Sequence, residues 1–199
     1  MKVSKAQAQA NRARIVEAAA TLFRERGYDG VGVAELMGAA GFTHGGFYKH
    51  FPSKADLMAE TAASGFAKLE AAHPIDLAAF VQAYVCRDHR DGRGEGCTLA
   101  ALCGDAARQP DPIRAEFAEG VERLLTQLTP PGDTPAEQAQ ARALAIDTLA
   151  HAVGALVLSR ACPDEAPLAN EILRVCRDTL LRGLAGAADA PASDPDPAD

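Results

Sequence analysis

The sequence predicts an all-α protein, a helix-turn-helix head on a larger helical body, with about nine helices in total. Three observations carry that expectation. Hydrophobic residues make up 48% of the 199 positions, enough for a sizeable core, while aromatics are only 5% and tryptophan is absent. Alanine, the strongest helix former, is abundant along the whole chain. No convincing alternation of apolar and polar residues marks a strand, whereas apolar residues recur at helical spacing.

From Asn11 to Arg26 the apolar residues fall at 15, 18, 19, 22 and 23, one face of a first helix, and Gly27 is placed to end it as a left-handed cap. A short second helix follows with Val33, Leu36, Met37 and Ala40 inward, and Gly41 stops it. Thr43 can cap a third helix over about 44–50, closed by Pro52. Ser53 caps a fourth helix with Leu57, Met58 and Ala62 inward, ended by His73-Pro74. Five further helices are expected near 76–88, 96–109, 111–128, 135–161 and 165–185. Between them, DHRDGRGEG (88–96) reads as a mobile polar loop and TPPGDTP (129–135) as a breaker. The last stretch, GAADAPASDPDPAD, is too acidic and proline-rich to form a core and reads as a disordered tail. The chain therefore divides into a head (1–54), a body (55–185) and a tail (186–199).

Charge follows the same division. Residues 1–54 carry eight Lys/Arg against four Asp/Glu, or +4, so the remainder of a chain with net charge −7 carries −11. A basic head on an acidic body points to an anionic partner for the head alone. No run of about 18 uninterrupted apolar residues suggests a membrane span, and the first residues lack a hydrophobic signal core. Five cysteines at irregular spacing suit reduced thiols, so a cytoplasmic protein is expected.

The stretch GFTHGGFYKHFPSK, Gly41 to Lys54, carries the functional argument. Two short helices joined by a tight glycine turn form a helix-turn-helix, whose second helix enters the DNA major groove. Phe47 and Phe51, four apart, face the small core and leave Tyr48, Lys49 and His50 near the opposite surface. Lys49 can neutralise a phosphate, Tyr48 and His50 can donate to one, and Lys54 extends the basic rim. Gly45 and Gly46 weaken a helix by about 2 kcal/mol against alanine. Without side chains they let the backbone approach base pairs closely.

Residues 11–58 resemble the DNA-binding head of the tetracycline-repressor (TetR) family of one-component regulators. The resemblance rests on RARIVEAAATLFRERGYDG, VAELMGAAGFTHGGFYKHFPSK and ADLM. It implies that Thr43, His44 and Gly45 lie nearest the bases, with Tyr48, Lys49, His50 and Lys54 on phosphates. It departs from the family at Gly32, where a hydroxyl often caps the second helix. The resemblance also implies a homodimer through the last two helices, 135–161 and 165–185. The first of these has a small and apolar stripe at Ala143, Ile146, Leu149, Ala150, Val153, Gly154 and Val157. Two heads on a two-fold axis call for a near-palindromic operator.

The body reads as a sensor for a small molecule, oxidant or electrophile, with Phe80, Leu99, Leu102, Phe117 and Leu124 lining a cavity and His151 offering a polar group. Cys97 follows the Gly-rich loop at a helix start, where a thiol is activated, with Arg90 and Arg93 nearby. The segment GCTLAAL resembles a TetR branch containing cysteine-based sensors, so Cys97 is the candidate sensor, with Cys103 or Cys86 as a resolving partner. A metal-responsive alternative would use Cys86 and His89 with Asp88 or Cys97, but no second paired motif completes a tetrahedral set. No cofactor is expected. No P-loop, GxGxxG or GxSxG motif is present, which argues against an enzyme.

Overall fold

Helix α1 spans Lys5–Arg26 in a computed structural model that describes residues 4–70 and 76–188. It starts earlier than its apolar pattern because Ser4 caps it, the hydroxyl accepting the Gln7 N–H at 3.1 Å. Gly27 ends it at φ 76°, ψ 169°, a positive φ as expected but an extended ψ rather than a left-handed helical one. The reason is tertiary: a Cβ at Gly27 would sit 2.4 Å from Asp105 Oδ2, so the chain leaves α1 pressed against a distant helix.

Helix α2 (Val33–Ala39) buries Leu36 and Met37, and a turn through Gly41 at φ 79° leads into the third helix. That element is a six-residue 3-10 helix, η1 (His44–Lys49), rather than an α-helix. Its two glycines weaken an α-helical ladder, and 3-10 winding is common in short pieces of this kind. Thr43 occupies the cap position, but its hydroxyl makes no cap hydrogen bond. Helix α3 (Lys54–Glu70) starts as expected from Ser53, whose Oγ accepts the Asp56 N–H at 3.2 Å. Its expected end at His73-Pro74 lies outside the described residues.

The expected helix over 76–88 is two, α4 (Leu77–Tyr84) and α5 (Arg87–Asp91), broken at Val85 and Cys86. The 88–96 stretch is consequently not a free loop. Arg160, some seventy residues away, donates to the carbonyls of His89 (2.6 Å) and Arg90 (3.0 Å), and Arg24 Nε donates to Gly94 O at 2.7 Å. Cysteine 97 caps α6 (Thr98–Ala106). Helices α7 (Asp111–Leu128) and α8 (Pro135–Ala161) match their sequence patterns, and a Thr134/Glu137 capping box starts α8. Helix α9 (Pro167–Ala188) runs three residues into the stretch expected to be tail, whose remainder lies outside the described residues.

Helix α3 packs along α7, α8 along α9, and α1 against α2, α3 and α6. Buried side chains from head and body form one continuous hydrophobic cluster. Phe66 of α3 lies tightly over Gly120 of α7, where a Cβ would lie 2.2 Å from the ring. Head and body are also tied by a hydrogen bond: the Tyr28 N–H donates to Asp105 Oδ2 at 3.0 Å.

Candidate nucleic-acid interface and ligand cavity

The recognition segment separates into two faces. Phe47 and Phe51 are buried and stacked with centroids 5.7 Å apart, which anchors η1 on the head core. Thr43, His44, Gly45, Tyr48 and Lys49 are exposed, Tyr48 at 71%, while Gly46 and His50 are half-buried. A Cβ added at Gly45 would meet nothing within 4 Å, and at Gly46 only Met37 Cε at 3.6 Å and Thr43 Oγ1 at 4.0 Å. Neither glycine is therefore required by packing inside this chain.

Most of the head's positive charge is spent internally. Arg12 pairs with Glu60, donates to the His50 carbonyl and lies 4.1 Å over the Phe51 ring. Arg26 pairs with Glu35, and Arg14 Nη2 donates to Ala40 O at 3.1 Å. Lys54 Nζ donates to Tyr28 O and lies 5.8 Å from the Phe23 centroid, so it braces the start of α3. Among the described residues of the head, Lys5 and Lys49 are left without such a partner. The +4 surplus read from sequence thus concentrates, on the exposed face of η1, into Lys49.

A cavity of about 350 Å³ opens between α1, α3, α4, the 92–97 segment and the end of α7. Phe80 and Leu124 line it, as expected. Leu99, Leu102, Phe117 and His151 do not. Phe117 is buried edge-on against Phe66, 5.4 Å between centroids, and fills the α3–α7 seam instead. His151 is half-exposed on α8, away from the cavity wall. The wall instead gains polar groups that helical periodicity did not single out: Arg24, Tyr84 and His89.

Cys97 lies on this wall and is buried. The cations electrostatically coupled to it are Arg24 and Arg160 rather than Arg90 and Arg93. Arg90 is engaged with Asp91, and Arg93 donates to the Arg160 carbonyl. Cys103 is exposed and off the cavity; burial raises its thiol pKa, and Cys97 adds to the shift. Six residues of α-helix rise by about 9 Å, beyond the roughly 7 Å Cα separation a disulfide spans, so joining Cys97 to Cys103 requires unwinding α6. Cys86 Sγ sits at the start of α5, accepting the His89 N–H at 3.4 Å.

His89 has both ring nitrogens occupied. Nδ1 donates to Tyr84 O at 2.9 Å, and Nε2 accepts the Cys97 N–H at 3.2 Å. That pattern holds a neutral ring, and burial pushes its pKa below the ordinary 6.5. His89 therefore serves as a structural bridge from α4 to the start of α6, which leaves no lone pair for the metal set considered above.

Helices α8 and α9 present an uncovered apolar face. Ala143, Ile146, Ala150 and Val157 of the α8 stripe are exposed, with Leu158, Leu168 and Val175 beside them. Leu149 is the stripe member turned into the core. By length and apolarity alone (mean hydropathy 1.5 over an 18-residue window) α8 would pass for a bilayer-spanning helix.

These features define a class: a helix-turn-helix protein with a hollow all-helical body. Residues 15–61 match the family model "Bacterial regulatory proteins, tetR family". Over 57 residues the chain is 39% identical to the HTH-type transcriptional regulator AcrR of Shigella flexneri, a match spanning 29% of this chain and 26% of that relative. The fold extends the likeness beyond the head. A TetR-family transcriptional regulator from Agrobacterium tumefaciens superposes with TM-score 0.69 at 24% identity, covering 88% of this chain and 98% of its own. AibR, solved in complex with isovaleryl coenzyme A and operator DNA, superposes with TM-score 0.56 at 20% identity, covering 86% and 98%. Residues 15–61 are thus similar to the DNA-binding head of the TetR family, and the chain as a whole shares the fold of the solved TetR-family regulator from Agrobacterium tumefaciens.

Proposed function

We propose that this protein is a cytoplasmic, homodimeric, DNA-binding transcriptional regulator that represses from a near-palindromic operator and is released by an effector in its body. It acts by binding rather than by catalysis. The observation that carries the reading is the two-faced recognition segment. Buried Phe47 and Phe51 hold η1 rigid while Thr43, His44, Gly45, Tyr48 and Lys49 stand free of the fold. Thr43, His44, Gly45 and Gly46 are the base-proximal positions; Tyr48, Lys49 and His50 serve phosphates, and Lys54 supports them from behind. Residues 1–54 form the DNA-binding unit and 55–185 the sensing and dimerisation unit.

The exposed stripe of α8 with Leu168 and Val175 of α9 supports self-association, since a chain rarely leaves such a continuous apolar face in water. AibR, whose structure contains both operator DNA and a small-molecule ligand, supports an effector site in the body. Cavity ligand or modified Cys97 then acts by population shift, favouring a conformation whose head spacing no longer suits the operator. Comparing head separation with and without effector tests that step, and an unchanged distance refutes it.

The primary test is a gel shift with DNA from upstream of the protein's own gene, over a salt series, for wild type and Lys49→Ala. Retardation should weaken with salt, and Lys49→Ala should reduce the salt slope by about one unit. An unchanged slope and affinity would show that η1 is not the phosphate-facing element. Oxidant and reductant arms in the same assay separate cysteine-triggered release from non-covalent release.

A further inference from the structure

We propose that the cavity is a binding site for a small organic monocarboxylate, its carboxylate held by Arg24 and the Tyr84 hydroxyl and its apolar part resting on Phe80, Leu124 and Leu128. This names the effector class within the regulatory reading above, and rests on it for the consequence at DNA.

The unspent groups of the wall make the case. Arg24 is only 8% exposed, yet it forms no ion pair among the described residues. Its hydrogen bonds go to Gly94 O at 2.7 Å and Thr21 Oγ1 at 3.5 Å, so much of a five-donor guanidinium is unused. Glu95 and Glu25 act on it through space without pairing directly, so burial is only partly compensated, and a carboxylate is the group whose geometry matches its fork. Tyr84, 7% exposed on the same wall, has a hydroxyl with no nitrogen or oxygen partner, its polar neighbour being the weakly bonding Cys97 thiol. Burial and the neighbouring Cys97 hold that hydroxyl protonated, so it is available as a donor.

Charge on the wall selects a monoanion. His89 is locked neutral by its two hydrogen bonds. Exposed Lys68 and Glu95 offset one another, leaving the single positive charge of Arg24. A phosphorylated ligand with two charges would be under-compensated. The volume, about 350 Å³, suits an acid of roughly ten to fifteen heavy atoms. Because Arg24 belongs to α1, a carboxylate competes directly with Gly94 O for a side chain of the head, giving the effector a route to the DNA face through α1 as well as α3.

The test titrates full-length protein with sodium octanoate and 3-phenylpropionate, and with octanamide and 3-phenylpropionamide, by calorimetry. At least one acid should bind, with its amide tenfold or more weaker. Tyr84→Phe, which removes a hydroxyl whose neighbour in the free protein is only the Cys97 thiol, should keep the fold and weaken the acid about three- to tenfold. Arg24→Lys, which keeps the charge but loses the fork, should weaken it further. Equal binding of acid and amide, no binding of either acid at millimolar concentration, or unchanged affinity in both variants overturns the assignment. A gel shift on the same samples separates the two readings. An acid that binds without releasing operator DNA upholds the site and refutes effector-driven release. Release by an amide but not its acid refutes the carboxylate assignment and leaves the regulator intact.

Discussion

Replacing Gly45 with alanine should make the protein more stable and a worse DNA binder. The added methyl group meets no atom of the chain within 4 Å, so the folded state loses nothing sterically. Gly45 does not sit at a positive φ, so alanine fits the existing backbone. The unfolded chain meanwhile loses freedom, which stabilises the native state by about 0.4–1 kcal/mol. For a chain of this size that corresponds to a rise in Tm of about 1–4 °C. At the proposed DNA face the same methyl occupies the space through which the backbone approaches the bases. If the interface tolerates it as poorly as a packed core tolerates an extra methylene, the cost is about 1–3 kcal/mol, or roughly 5- to 150-fold in Kd. Thermal unfolding and a gel shift on one preparation read both effects. A drop in Tm would show that the fold needs the glycine. A raised Tm with unchanged Kd would show that η1 does not approach DNA at this position, and would remove the steric explanation for the glycine pair.

Three other substitutions probe separate contacts. Asp105→Ala leaves the Tyr28 N–H without its acceptor and should cost about 1–3 kcal/mol, with faster hydrogen exchange at that amide; unchanged exchange would mean the head–body tie is dispensable. Leu158→Glu places a charge on a residue already 59% exposed, so the protomer should keep its fold while sedimentation shows a monomer; an intact dimer would move the interface away from this face of α8. His89, whose folded pKa lies below its ordinary value of 6.5, takes up a proton more readily in the unfolded chain. Stability should therefore fall as the pH drops below about 6.5, and His89→Gln should flatten that fall; a pH profile identical to wild type would show that the ring is not held neutral.

The helices themselves were legible because a 3.6-residue period is a local property. The spacing of Ile15, Ala19 and Phe23 marks the buried face of α1, and Pro135 after Thr134 marks the start of α8. The recognition segment was legible for the same reason: Phe47 and Phe51, four apart, can only share a face, which turns Tyr48 and Lys49 outward. Periodicity could not say that His44–Lys49 winds as a 3-10 helix, because over six residues the 3.0 and 3.6 periods are too close to tell apart. Nor could it say that the stretch after Tyr84 is pinned, since the pinning side chain, Arg160, lies some seventy residues on. The cavity wall was the least legible part. Phe117 and His151 sit on apolar faces with the right period, yet one fills the α3–α7 seam and the other faces away from the cavity. Arg24 looked like one more cation of a basic head until folding buried it on the cavity wall with Tyr84, with no carboxylate paired directly to it. The local alphabet of spacing and caps thus specified most of the helices and the outward face of η1. Which charges are spent, which remain available, and where the body is hollow followed from packing between residues far apart in the chain, where burial sets the energetic stakes of every polar group.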